Sequence, residues 1–414
     1  MISYNEALRL VAAEGARHRE HLRSERLSLL DCVGRYSAAD LDSLDSNPRF
    51  DNAAMDGYAV ISSETRHATQ EAPVRIPVTG CLAAGEAFVR ATAGSGSGSC
   101  IEIMTGAGIP EGPYDAVVKM EEVEPDMDPA GRVSAITLRS PVQKNENIRR
   151  AGEDFRKGDR LLSRGTRFGP QHVLALAMAG HSELDVLVPP RIVVFSTGSE
   201  LVPFDSPAIA AQQIRNSAAP LLCAALKLYG AETVFHGIVS DRPEGIRQAI
   251  LQAREARPDL IVTTGGVSVG KYDLVRSALV ECGAVLRFHN VAVRPGKPVL
   301  FGSFPHGGPA FFGLPGNPMA VAAGVRFFVR PFLSAICGEA PEAPHILPLT
   351  AEVRKPSGLS FFLRAVRDGQ GVRVLSGQAS FMAASFLTAE GWAVGRSEAA
   401  VLQPGDLVEW YPLW

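Results

Sequence analysis

The run Leu260-Ile261-Val262-Thr263-Thr264-Gly265-Gly266-Val267-Ser268-Val269-Gly270-Lys271-Tyr272-Asp273 is the most informative in the chain. A short apolar stretch leads into a hydroxyl- and glycine-rich loop, and a helical pattern follows. That order reads as strand, loop, helix. The same grammar recurs on both sides. Ile192–Phe195 leads into Ser196-Thr197-Gly198-Ser199-Glu200, Val234–Val239 into Ser240-Asp241, and Phe311–Leu314 into Pro315-Gly316-Asn317-Pro318. Between them lie helical patterns: about 217–229, with Leu221, Leu222, Ala225 and Leu228 on one face, and about 243–256, with Ile246, Ala249, Ile250 and Ala253. Strands alternating with helices at this spacing predict parallel βαβ units, so 191–335 is expected to form an open α/β sheet.

The flanking segments read differently. Ser3-x-x-Glu6 is a capping box that opens a first helix, expected to run to about Gly15. Residues 25–60 look extended and loop-rich, and 55–150 shows short apolar runs broken by Gly and Pro, the pattern of a β-rich region. Within it Ala93-Gly94-Ser95-Gly96-Ser97-Gly98-Ser99 opens no helix and reads as a flexible surface loop rather than a phosphate cradle. Past the Pro-rich linker Glu339-Ala340-Pro341-Glu342-Ala343-Pro344, β signals return to the last residue. The expected domains are 1–44 with 150–190 as a discontinuous linker, 45–149 β-rich, 191–335 α/β, and 340–414 β.

Composition narrows the function. At 414 residues the chain is long enough for two to four cores. A net charge of -3 gives no reason to expect nucleic acid or an anionic membrane as partner, so any anion must be bound by local cations. Its six cysteines form no C-x-x-C or His/Cys cluster, which argues against zinc or disulfides and for a reducing, cytoplasmic setting. The N-terminus shows no signal-peptide pattern, and no apolar run is expected to reach the roughly 20 residues of a membrane helix.

In an open parallel sheet, ligands bind beyond the carboxyl ends of the strands. Glu200, Asp241 and Asp273 all follow strands and are expected to gather on that rim. The loop containing Gly265, Gly266, Ser268 and Gly270 lets the backbone turn tightly and present N–H groups to an anion; a turn needed only for chain reversal is the alternative. Arg294-Pro295-Gly296-Lys297-Pro298 places two cations about a rigid turn, suited to a dianion or pyrophosphate, with a solvated surface pair as the alternative. Pro315 and Asn317 belong to a proline-stiffened loop whose amides face the same rim, or simply start a helix. Carboxylates beside an anion loop conflict unless a cation separates them, which suggests Mg²⁺ bridging to a phosphorylated ligand. Against this, Asp241 is also a plausible cap for the helix that starts at Pro243. Asp56-Gly57 and Met104-Thr105-Gly106 read, by composition, as turns, the former as a hairpin.

DNAAMDGYAV (51–60), MTGAGIPEG (104–112), DAVVKMEEV (115–123), NIRRAGEDFRKGD (147–159), FSTGSEL (195–201), TTGGVSVGKYD (263–273), VRPGKPVLFG (293–302) and GLPGNP (313–318) occur in one order. Together they closely resemble the molybdopterin molybdenumtransferase family, which includes the E domain of gephyrin. The resemblance covers nearly the whole chain and is weakest over the last 75 or so residues. It implies an elongated four-domain homodimer with a central α/β domain of pterin-adenylyltransferase fold, a β-rich second domain and a C-terminal β-barrel. It further implies that adenylyl-molybdopterin is hydrolysed, molybdate enters the dithiolene and AMP leaves. The site would lie between the α/β domain of one subunit and the β-rich domain of the other. Residue by residue, Asp56 and Thr105 would come from the partner subunit, supported by Asp154. Glu200, Asp241 and Asp273 would hold the metal and position the attacking oxygen. The 265–270 loop would bind the phosphorylated pterin, and Arg294 and Lys297 molybdate or phosphate.

Four positions depart from the family pattern: Ala53 for Ser, Arg294 for Lys, Lys271 for an acidic residue, and Ala218 for Asn. Two other readings compete. An adenylyltransferase acting one step earlier is opposed by the extra domains. A non-catalytic scaffold of the same fold would have no need to concentrate buried carboxylates.

Overall fold

The computed structural model describes residues 1–86, 97–267, 274–355, 358–396 and 400–414. Its centre is a six-stranded sheet ordered Glu232–Val239, Arg191–Thr197, Leu260–Thr264, Ala310–Leu314, Leu300–Ser303, Val285–His289. The first four are parallel; Leu300–Ser303 runs antiparallel to them, and Val285–His289, antiparallel to it in turn, closes that edge. Side chains alternate across it as the strand period demands. Ile192, Val194, Leu260, Val262 and Phe312 enter one core, with the helices Ala218–Leu228 and Pro318–Gly324. Val193, Phe195, Ile261 and Phe311 enter a second, under the helices Pro243–Glu255 and Leu274–Glu281. The expected α/β sheet is therefore present, covered on both faces.

Two helical faces test the periodicity. In Pro243–Glu255 the buried residues are Ile246, Ala249, Ile250 and Ala253, as the spacing requires. In Ala218–Leu228 the buried stripe is Ala218, Ala219, Leu222, Ala225 and Leu226, while Leu228 is 52% exposed. Leucines at 221, 222, 226 and 228 nearly encircle that helix, so spacing within it does not single out one face.

The first helix, Tyr4–Arg19, is capped by the Ser3 hydroxyl, which accepts from Glu6 N–H at 3.2 Å. It runs a full turn past Gly15 because that glycine is a packing point: a Cβ there would meet Ala335 Cβ at 2.7 Å. The helical rod it packs against, Pro318–Cys337, corrects the expectation about apolar runs. It is 20 residues long, and an 18-residue window of it has a mean hydropathy of 1.5, long and apolar enough to cross a membrane, yet 78% of that window is buried inside the protein. It is apolar because it is a core helix, and it carries the buried cation Arg326 on a π-helical turn, Val325–Val329, paired to Glu342 at 2.8 Å.

Residues 24–42 and 160–187 meet as two short antiparallel ribbons around Leu29, Cys32, Leu41, Phe168, Leu176, Leu184 and Val186. A second six-stranded sheet follows the order Ala116–Lys119, Gly57–Val60, Cys100–Ile103, Val74–Leu82, Val133–Leu138, Glu124–Met127. Asp56-Gly57 is not a hairpin turn. Asn52–Ala53 pairs with Ile148–Arg149 instead, and Gly57 begins a central strand, where a Cβ would lie 1.9 Å from the Val118 carbonyl oxygen. Of the low-complexity loop, 93–96 lie outside the described residues; Gly98 N–H donates to Glu64.

The last sheet runs Val293–Arg294, Ser360–Asp368, Gly391–Gly395, Leu407–Pro412, His345–Pro348, with Gly371–Val374 paired to Ser360–Asp368. A bridge from Leu349 to Val372 links its two sides. Because Val293–Arg294 sits at its edge, this sheet is anchored beside the central one.

Candidate functional site

Strand register places the expected residues along one rim. Val239 pairs with Thr197, Ser196 with Thr264, and Thr264 with Leu314, while the antiparallel Leu300 sits opposite Gly313. Asp241, Glu200, the 265–266 glycines, Pro315 and Lys297 therefore all emerge at the same edge. Strands lie about 4.8 Å apart, so the rim from the Asp241 strand to the Leu300 strand is roughly 19 Å long. Carboxylates occupy one end, cations the other, and the glycine turn lies between.

At the acidic end Asp241 Oδ2 accepts from Ser199 N–H at 3.1 Å. Arg242, not Asp241, holds the cap position of the Pro243 helix, so Asp241 ties two rim loops together instead of closing a helix. Glu200 and Asp241 are exposed, which corrects the picture of buried carboxylates: the rim faces solvent. Among the described residues no group of three or more His, Cys, Asp or Glu is gathered for a metal. Asp273, the third expected ligand, lies outside the described residues, as do Ser268, Gly270 and Lys271. The remaining donors fit Mg²⁺ by chemistry. Two exposed carboxylates supply hard oxygens with room for the waters that ion retains.

The centre of the rim is tightly built. Gly265 and Gly266 have φ of 86° and 64°, the left-handed region that glycine adopts without strain. Gly265 N–H donates to the Leu314 carbonyl at 3.0 Å, and a Cβ at Gly265 would lie 2.4 Å from the Thr197 carbonyl oxygen. The Thr197 hydroxyl, buried against both glycines, has no hydrogen-bond partner among the described residues. Thr197 is not among the residues expected at the site; its one signal in the sequence is its place at the end of a strand.

At the cationic end Arg294 and Lys297 are exposed. They line a cleft of roughly 770 Å³ together with Pro315, Asn317 and residues of the last sheet. The Arg294 guanidinium stands 5.9 Å from the centre of the Phe361 ring.

Asp56, Thr105 and Asp154 are elsewhere. Asp56 Oδ1 accepts from Thr105 N–H and from its hydroxyl, each at 2.7 Å, and these bonds hold its carboxyl below the usual range, the hydroxyl bond contributing most. Asp154 accepts from Asn47 Nδ2 at 2.9 Å. Among the described residues no hydrogen bond or ion pair joins these three to the rim of the same chain.

Residues 2–180 match the family model described as the MoeA N-terminal region (domain I and II), and 193–335 the one described as a probable molybdopterin binding domain. A molybdopterin molybdenumtransferase of Synechococcus elongatus is 36% identical over 410 residues, 99% of either chain. One from Bacillus subtilis is 32% identical over 392 residues, covering 92% of this chain and 86% of its own. The chain belongs to the molybdopterin molybdenumtransferase family. A solved molybdopterin biosynthesis MoeA protein from Pyrococcus horikoshii has the same overall arrangement, with a TM-score of 0.79 and 28% identity over 100% of this chain and 99% of its own. For a molybdenumtransferase-family chain, the split of the expected residues between the central rim and the β-rich sheet is the feature that any functional reading must explain.

Proposed function

We propose that this protein inserts molybdate into adenylyl-molybdopterin, with hydrolysis and release of AMP. The broader statement, a transferase of molybdenum cofactor biosynthesis, follows from full-length likeness to molybdopterin molybdenumtransferases. The observation that carries the finer reading is the polarised rim: exposed carboxylates at one end, exposed cations at the other, and a tight, left-handed glycine turn between.

In this reading Arg294 and Lys297 collect the oxyanion and hold it by charge-assisted hydrogen bonds. The backbone at Gly265 and Gly266 approaches the phosphorylated pterin closely because it has no Cβ. Glu200 and Asp241, with Asp273, would hold Mg²⁺, which when bound supplies charge neutralisation at the phosphate oxygens. Molybdate has no proton to give, so the protein's work is placement and electrostatics rather than general acid chemistry. Pro315 and Asn317 form the wall between cleft and rim.

Asp56, Thr105 and Asp154 enter the site from the partner subunit of a homodimer. Their separation from the rim within one chain favours that arrangement. The domains are 1–44 with 150–190, 45–149, 191–335 and 340–414, supported by the separate cores in the ribbon region, the second sheet and the last sheet. The last sheet is a β-barrel, a reading supported by the Leu349–Val372 bridge, and the central domain follows the pterin-adenylyltransferase fold. A reducing cytoplasm suits the six free cysteines.

The test is AMP release from adenylyl-molybdopterin by the purified protein with Mg²⁺, with and without molybdate. Molybdate-dependent release yielding active cofactor supports the proposal. Binding without release under either condition sinks it and favours a scaffold.

A further inference from the structure

A second gathering of cations lies at the edge of the central sheet opposite the rim. Ser303 pairs with Ala310 there, while Leu300 and Gly313 mark the rim end of the same two strands. Along Ala310–Leu314 the two ends are roughly 13 Å apart. The loop 304–309 between these strands folds against the last turns of the helix Tyr4–Arg19, and a cavity of roughly 240 Å³ lies between them. His18 fixes that contact: its Nδ1 lies 3.0 Å from the Glu14 carbonyl oxygen and its Nε2 3.2 Å from that of Gly308. Glu14, 6% exposed, is the one carboxylate among the described lining residues. Its Oε2 accepts from Arg17 at 3.0 Å and from Arg287 at 3.2 Å.

Two guanidinium groups against one carboxylate leave a positive charge, and each guanidinium has N–H donors beyond the one given to Glu14. His21 and His306 also line the cavity, and among the described residues their side chains make no hydrogen bond or ion pair. His306 stands at φ 56°, a left-handed conformation that residues with a Cβ seldom adopt. Basic residues in the last turn of a helix offset its dipole. That accounts for Arg17, but not for Arg287 and His306, which other elements bring to the same cavity.

We propose that this cavity binds a small tetrahedral oxyanion of the phosphate or sulfate type, between Arg17 and His21 of the first helix and Arg287 and His306 of the α/β domain. Its volume lies below the range that encloses a drug-sized ligand, so it suits a small ion. Bound there, the anion clamps the first helix to the α/β domain and stabilises the folded protein according to its occupancy. The cavity shares no lining residue with the cleft at Arg294 and Lys297.

Thermal unfolding and calorimetry of the full-length Lys297→Met protein, whose rim is weakened for anions, test this with inorganic phosphate, sulfate and AMP against chloride at equal ionic strength. Phosphate and sulfate are expected to raise the melting temperature beyond the chloride control. Adding His306→Gly removes the imidazole where the backbone favours glycine, and adding Arg17→Gln removes a guanidinium whose side chain is 64% exposed. Each is expected to weaken phosphate about tenfold, the scale of one lost hydrogen bond to a charged group. Adding Arg23→Gln instead removes a charge from the neighbouring surface outside the cavity and should leave phosphate binding as it was. AMP binding as tightly as phosphate supports the site and makes a phosphate ester its ligand. AMP binding far more weakly supports it and makes the free ion the ligand. The proposal is wrong if phosphate and sulfate stabilise no more than chloride does, or if neither His306→Gly nor Arg17→Gln weakens phosphate. It is equally wrong if Arg23→Gln costs as much as Arg17→Gln, because the attraction is then general surface charge.

Discussion

Thr105 gives both its backbone N–H and its hydroxyl to a single oxygen of Asp56, at 2.7 Å each. Both bonds favour the ionised carboxylate and lower its pKa, the hydroxyl bond most. A folded pKa below the unfolded one means the contribution is fully present above the unfolded value, about 3.9. It is lost as pH falls through the folded value. Thr105→Val keeps the N–H bond and removes the larger cause. Carboxyl-carbon NMR titration should then find Asp56 shifted upward toward the ordinary range; an unmoved titration means the hydroxyl bond is not made in solution.

Asp241→Asn separates charge from hydrogen bonding at the acidic end. The amide oxygen still accepts from Ser199 N–H, so thermal stability should change by no more than about 0.5 kcal/mol, as at other exposed sites. Molybdate-dependent AMP release should fall at least about tenfold, the scale seen when groups around a metal are lost, and excess Mg²⁺ should restore part of it. An unchanged rate at all Mg²⁺ concentrations removes Asp241 from the site.

Lys297→Met removes one exposed cation of the cleft. A hydrogen bond to a charged group contributes about 1.5–3 kcal/mol, so the molybdate concentration giving half-maximal rate should rise roughly tenfold or more. Lys297→Arg should recover most of it. Identical molybdate dependence in all three proteins would place the oxyanion elsewhere.

Gly265 and Gly283 form a matched pair, with φ of 86° and 87°. Alanine at Gly283 meets nothing within 4 Å, so only left-handed backbone strain is added, about 1–2 kcal/mol. At Gly265 the same strain is joined by a 2.4 Å clash with the Thr197 carbonyl oxygen. Chemical denaturation should show Gly265→Ala clearly the less stable of the two. Equal losses would mean that the turn against Thr197 yields readily.

Part of this architecture is legible in the sequence itself. The strand–loop–helix grammar around Leu260–Thr264, and the buried face of Pro243–Glu255, follow from apolar spacing, because side chains alternate every two residues on strands and return every 3.6 on helices. The helix Ala218–Leu228 was less legible, because leucine occurs on several of its faces. Asp56-Gly57 misleads because dipeptide turn chemistry is local, whereas Gly57 is required by the close approach of Val118, distant in sequence, from the neighbouring strand.

The linear chain specifies that strands lead into Glu200, Asp241, the 265–266 glycines and the GLPGNP loop, and parallel winding then puts all of them on one edge. Ordered motifs also identify the family. Which carboxylate bonds to which loop, how exposed the pair is, and that the cationic turn faces an apolar wall from the last sheet follow from contacts between residues far apart in sequence. Those depend on strand order and packing, which local periodicity does not encode. The rod Pro318–Cys337 is the plainest case: its composition suits a membrane as well as a core, and only the sheet and helix packed around it make it a core.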